Sequence, residues 1–357
     1  MCRISRTPVL DFAETAEKVF EHGQPWAKRL SKTARVLVDY TVMAMNLTGG
    51  CVYIVFFAST VHDICNTRFG WDMSVRIYIL IVMVAFLPLG QVRSLKFLVP
   101  FSGSANVFML VVFGIVLYYI FKEPLVISDK PLIESWTKWP IFFSTVIFAL
   151  EGIGSVMPVE NSMAKPQEFL GFPSVLLTSM GFVTVIYTVI GLLGYIRFGK
   201  EIKGSITLNL PTDEWTATAG QVLIALSIYF TFGIQLYVPM EILFKKIAHK
   251  IEKSRNISEI GIRNFIMILQ AALAIAIPSL GPFISLMGAV FVGTLGLFVP
   301  AVLETVFLQA NGNFGRLKWK LWKNMFLVIF SLVAMFSGTF VSIKDIIKLY
   351  TTDDDMP

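Results

Sequence analysis

Apolar residues in this sequence gather into long unbroken runs separated by short polar stretches. A bilayer core of about 30 Å needs about 20 residues of helix, because lipid offers no partner to a free backbone amide or carbonyl. Nine runs meet that requirement: 36–61, 75–92, 97–121, 139–158, 172–198, 217–244, 262–280, 283–308 and 324–343. The pattern predicts an all-α integral membrane protein. It has a polar N-terminal segment 1–35, a transmembrane region 36–343 and a tail 344–357.

Composition agrees with this reading. Of 357 residues, 55% are hydrophobic and 15% charged, with a mean hydropathy of +0.70, whereas soluble domains carry about 25% charged residues. A net charge of +6 would suit nucleic acid, but its placement argues otherwise. Of the 30 Lys and Arg residues, 20 fall in 1–35 and in alternate connections, on one side of the bilayer. Basic residues favour the cytoplasmic side, so the N-terminus is expected in the cytoplasm and the tail outside or in a lumen. The seven tryptophans, Trp26, Trp71, Trp136, Trp139, Trp215, Trp319 and Trp322, lie between spans or at their ends, where an amphipathic ring suits the headgroup layer. No signal-peptide run precedes the first span. Lys245 to Arg255, with five basic residues in eleven, reads as a solvated face near anionic lipid. Cys2, Cys51 and Cys65 are widely spaced with no Cys/His cluster, so neither a metal nor a disulfide framework is expected.

Charge inside the hydrocarbon core is costly, which makes an intramembrane carboxylate the first place to look for function. No span carries paired aspartates or a Ser/His pair, so no enzyme machinery is evident. In the fourth span Glu151 lies twelve residues after Trp139, about 18 Å into the bilayer at 1.5 Å per residue. Gly152, Gly154 and Pro158 follow and weaken helical continuity. A break there would free the carbonyls of Phe148, Ala149 and Leu150 for an ammonium group, and the amides after Glu151 for an anion. The plainer alternative is that the glycines allow close helix packing and Glu151 is a hydrogen-bonded core acid. Glu241, within reach of Lys245 at i+4, and Glu304 lie nearer the inner ends of their spans and suit interface roles better than a proton relay. Gly288, Gly293 and Gly296 suit helix contact, with a gating hinge as the lesser reading. Gly49-Gly50-Cys51-Val52-Tyr53 sets small residues beside aromatics, and the Tyr53 hydroxyl needs a partner.

Phe148-Ala-Leu-Glu-Gly-Ile-Gly-Ser-Val-Met-Pro-Val-Glu-Asn-Ser-Met-Ala-Lys-Pro166 closely resembles the signature of the proton-coupled amino acid transporters, a solute carrier family within the amino acid/auxin permease superfamily. Gly49 to Phe56, Gln235-Leu-Tyr-Val-Pro-Met-Glu241, Pro282 to Ala289 and Phe298 to Glu304 extend the likeness over nearly the whole chain. Pro8-Val-Leu-Asp-Phe-Ala-Glu-Thr-Ala-Glu17 resembles the loop before the third helix of the insect members.

The resemblance implies an amino acid–polyamine–cation superfamily fold, a five-plus-five inverted repeat with one extra helix. The nine spans would correspond to the family's third to eleventh helices, with the first two lacking. It also implies proton-coupled symport of small neutral amino acids such as glycine, alanine or proline, by alternating access. The substrate would meet Phe148, Ala149, Leu150, Glu151, Gly152 and Gly154, with Tyr53 and Tyr237 as weaker contacts and Glu151 coupling the proton. Cys65 resembles one member of the family's outer cysteine pair, and residues 199–216 hold no second cysteine. No cofactor beyond the proton is implied. The partners are amino acids, protons and the bilayer, and the location is the plasma membrane or a lysosomal or late endosomal membrane. Two alternatives stay open: a nutrient-sensing scaffold that does not transport but signals to cytoplasmic partners, and a part of a longer transporter.

Overall fold

The computed structural model describes residues 10–71, 73–125, 131, 133, 135–163, 165–211, 213–247, 255–312 and 314–353. Cys2, most of the basic stretch 245–255 and the end of the acidic tail fall outside them. The described elements are helical: α1 (Phe12–Glu21), α2 (Pro25–Phe69), α3 (Val75–Gly90), α4 (Leu95–Phe121), α5 (Trp139–Ala149), α6 (Ile153–Ser162), α7 (Val175–Phe198), α8 (Trp215–Ile247), α9 (Arg255–Ala276), α10 (Leu280–Met287), α11 (Val299–Asn311) and α12 (Trp319–Asp353). Between α10 and α11 the helix continues as two π-helical stretches, Gly288–Val292 and Thr294–Phe298.

Seven of the described helices are long and apolar enough to cross a membrane, against the nine runs in the sequence. The two that fall short have separate causes. α3 has 16 residues, about 24 Å at 1.5 Å each, and ends two residues after an internal Pro88. The fourth run is divided between α5 and α6, neither of which spans alone. Helix ends also run past the hydropathic edges. α2 starts at Pro25 rather than 36, with proline in the first helical position where its missing amide costs nothing. α12 continues to Asp353, beyond the apolar run that ends at 343.

The chain folds as two compact units, residues 1–45, 135–186 and 284–357 in the first and 46–134 and 187–283 in the second. In the second unit α4 packs along α8. Val112, Val116 and Ile120 of α4 meet Ala217, Ile224 and Ile228 of α8, and the buried Ser227 hydroxyl donates to the Ala105 carbonyl at 3.0 Å. Phe86 forms edge-to-face contacts with Phe57 at 5.2 Å and Phe232 at 4.5 Å, tying α2, α3 and α8 together.

The first unit begins with an amphipathic helix. Asp11 and Glu14 form a reciprocal capping box at its start, with Glu14 N–H donating to Asp11 Oδ1 at 2.7 Å. Ala13, Ala16, Val19 and Phe20 are buried, and the helix packs on α11. The expectation of a merely polar N-terminal segment therefore missed a helix whose apolar positions recur every three to four residues.

Candidate functional site

The helix running from Trp139 stops at Ala149 and restarts at Ile153. Leu150 (φ −91°, ψ 11°) and Gly152 (φ −151°, ψ 6°) leave helical geometry on either side of Glu151. The Phe148 carbonyl is not freed as the sequence suggested, because Glu151 N–H donates to it at 3.1 Å. A shortened last turn of this kind is a common way to satisfy a helix end. The Ala149 and Leu150 carbonyls take no backbone donor among the described residues, and the amides of Gly152 and Ile153 find no acceptor there. A C-terminal end, partially negative, thus precedes a partially positive N-terminal end, with a carboxylate residue between them.

Glu151, Ala149 and Gly154 are exposed, and Phe148, Leu150 and Gly152 are partly so. A methyl group added at Gly152 or Gly154 would meet nothing within 4 Å among the described residues. Among the described residues these glycines hold no close helix contact, and Glu151 is exposed.

Close packing occurs instead about two turns earlier. Ser144 is fully buried, its hydroxyl donating to the Pro140 carbonyl at 2.8 Å. Gly288, opening the first π-helical stretch, lies so near the Ser144 carbonyl that a Cβ would collide with it. Gly338 of α12 lies equally near the Ser144 hydroxyl. Downstream of the break, a Cβ at Gly296 would sit 3.3 Å from Ile153. Gly288 and Gly296 thus hold helix contacts, as expected, whereas Gly293 meets only the Gly288 carbonyl of its own helix, and the π winding that accompanies them has no clear sequence mark. Such insertions recur at functional positions.

Tyr53 and Tyr237 belong to the second unit, whereas residues 148–154 belong to the first. Tyr53 is half-buried against the α4–α8 core, and Tyr237 is half-buried two residues before Pro239 in α8. Glu304 pairs with Lys323 of α12 at 2.7 Å, which fits the interface role. Glu241 is exposed, and the Lys245 side chain lies outside the described residues. Cys51 and Cys65 are free thiols.

Three polar side chains, two of them buried and one half-buried, escaped the sequence reading because it followed carboxylates. Gln270, 3% exposed, donates to the Leu47 carbonyl at 2.8 Å and lies against Gly50, where any Cβ would clash with it. Gln235 donates to the Asn46 carbonyl at 3.3 Å. Arg263, 4% exposed, donates to the Gly90 carbonyl at 3.0 Å and pairs with Glu259 at 3.1 Å, capping the short α3. A polar residue within or bordering a long apolar run was the signal available for each.

Comparison with known proteins sets this geometry in a family. Residues 7–344 match the family described as transmembrane amino acid transporter protein. The chain is 37% identical over 353 residues to the Drosophila melanogaster proton-coupled amino acid transporter-like protein pathetic, covering 99% of this chain and 74% of that protein. It is 25% identical over 352 residues to amino acid transporter ANT1 of Arabidopsis thaliana, covering 94% and 79% respectively. With its apolar helices, one of them interrupted at an acidic residue, and a family match over nearly its whole length, this multi-pass membrane protein belongs to the transmembrane amino acid transporter family.

Proposed function

We propose that this chain carries small neutral amino acids of the glycine, alanine and proline type across a membrane together with protons. The observation that carries the reading is the helix interruption at Leu150–Gly152 with Glu151 inside it. Separated helix ends offer a zwitterion both poles it needs. The Ala149 and Leu150 carbonyls suit its ammonium group, and the amides leading α6 suit its carboxylate. Glu151 adds a group that can take up a proton from the acidic side and release it on the other, which couples the two fluxes. Tyr53 and Tyr237 are weaker candidates for contacts to the substrate.

In this reading α3 and the paired α5–α6 join the seven long helices as membrane crossings. The nine then follow the family's inverted-repeat plan, with the N-terminus cytoplasmic and the tail outside or lumenal. Alternating access would follow from rocking of one helix set against the other. The membrane is the plasma membrane or a lysosomal or late endosomal one, and the name of the Drosophila relative supports proton coupling.

Uptake of labelled alanine, glycine and proline into cells expressing the full chain, at acidic and neutral external pH, tests the proposal. Acid-stimulated uptake that Glu151→Gln abolishes at unchanged surface abundance is the expected result. No uptake at normal abundance would favour a non-transporting nutrient sensor.

A further inference from the structure

A cavity of about 900 Å³ opens in the second unit, between the last turns of α2 and the segment that joins α7 to α8. Asp63 and Asn66, three residues apart and so on one face of α2, supply one wall. Arg197 at the end of α7, then Glu201, Lys203 and Asp213, supply the other charged groups. Asn209 holds the joining segment in shape: its side chain accepts from the Lys203 amide at 2.8 Å and donates to the Glu201 carbonyl at 3.0 Å. Leu208 and Leu210 on either side of it are buried and anchor the segment. The charged rim therefore stands on a fixed frame.

Three carboxylates and two cations line this cavity. Arg197 is paired with Glu123, which does not line it. Lys203 Nζ reaches Asp63 Oδ2 at 3.3 Å, and His62 Nδ1 lies 3.2 Å from the other Asp63 oxygen. Glu201 and Asp213 are exposed and form no ion pair among the described residues. The Lys203–Asp63 contact is long and its lysine is 53% exposed, so water and salt leave it weak and easily opened. A zwitterion entering there gives each member a new partner, its ammonium on Asp63 and its carboxylate on Lys203. One ion pair becomes two, and the net charge of the cavity does not change. Glu201 and Asp213 add to the hold on the ammonium and repel a second carboxylate, which disfavours acidic amino acids.

We infer that this cavity is a second binding site, separate from residues 148–154, for the zwitterionic head of a small neutral amino acid held between Lys203 and Asp63. The ligand class rests on the transport proposed above. The cavity and its charges lie wholly in the second unit, so binding there can be measured without transport, and the two can fail separately.

The measurement uses the purified full chain in detergent with Asn66→Cys as an exposed reporter on the cavity wall. Cys2→Ser and Cys65→Ser remove the competing thiols, and Cys51 is buried. The rate of labelling by N-ethylmaleimide is followed as alanine is added. Only the empty cavity reacts, so the rate should fall about ten-fold when alanine stands at ten times its dissociation constant. Ethylamine and propionate, which carry one pole each, should protect far less at the same concentration, and so should glutamate. Protection should vanish in Lys203→Gln and return in Lys203→Arg, which keeps the charge. It should persist in Glu151→Gln, where transport is expected to stop. Three results would overturn the proposal: no protection by alanine, equal protection by ethylamine, or full protection in Lys203→Gln. Uptake without protection would remove this site and leave the transport proposal standing, whereas protection without uptake would do the reverse.

Discussion

Ser144 and Glu151 lie seven residues apart on the same interrupted run, yet their surroundings are opposite. Ser144 is sealed by Gly288 and Gly338, where even a methyl group would meet backbone or hydroxyl oxygen. Gly288→Ala should therefore cost about 1–3 kcal/mol through overpacking, measured as lowered thermal stability in detergent. Gly114→Ala on α4, with open space around it, should stay within about 1 kcal/mol of wild type, on the stabilising side. Glu151, by contrast, is exposed, and Glu151→Gln should remove acid-stimulated uptake without loss of stability. Arg263 is a residue of a third kind. Its replacement by alanine leaves the Gly90 carbonyl without its partner and Glu259 with Arg93 at 3.5 Å, at a cost of about 2–4 kcal/mol. Arg263→Lys should recover the charge but only part of the stability, since lysine cannot divide its donors between a carbonyl and a carboxylate in the same fork.

Among elements, the ends of α4, α7 and α8 nearest Lys122, Arg197 and Glu214 are joined by ion pairs as well as by apolar contact. The Lys122 ammonium, with the Tyr119 hydroxyl, holds the Glu214 carboxyl below the usual carboxylate range. Arg197 does the same for Glu123. A carboxylate whose value falls on folding contributes stability that is full above its unfolded value and lost as pH falls through its folded one. These joints should therefore hold at neutral and mildly acidic pH, and open only below the ordinary carboxylate range. Hydrogen exchange of the residues around Thr216, followed against pH, should show this opening in the wild type. Glu214→Gln should exchange faster at neutral pH and lose most of the pH response.

The same scale explains what could be read from sequence. Long apolar runs located the seven helices long and apolar enough to cross a membrane, because burial in lipid demands a continuous helix. The interruption was legible at Glu151-Gly-Ile-Gly, where a charge meets residues that weaken a helix. α1 was obscured by its charges, although Asp11-x-x-Glu14 before Ala16, Val19 and Phe20 carries both a cap and a period. The π-helical stretches could not be read, because their winding depends on what packs against Gly288. Nor could the bonds from Gln270 and Arg263 to distant carbonyls, which only the folded chain brings near.

The whole molecule is a membrane protein of the amino acid transporter family with one helix interrupted at Glu151. The proposed orientation predicts that, in a Cys65→Ser background, a membrane-impermeant thiol reagent applied outside intact cells labels Asp213→Cys and spares Lys318→Cys. The reverse pattern would invert the topology. The central claim is that this polypeptide itself couples an amino acid to a proton. The most direct measurement is on the purified full chain in proteoliposomes carrying an internal pH indicator. Adding alanine, glycine or proline outside should acidify the lumen in wild-type vesicles and not in Glu151→Gln vesicles of equal protein content. An intact, correctly inserted chain that moves no protons on addition of any of the three, or a Glu151→Gln chain that moves them normally, would contradict the account.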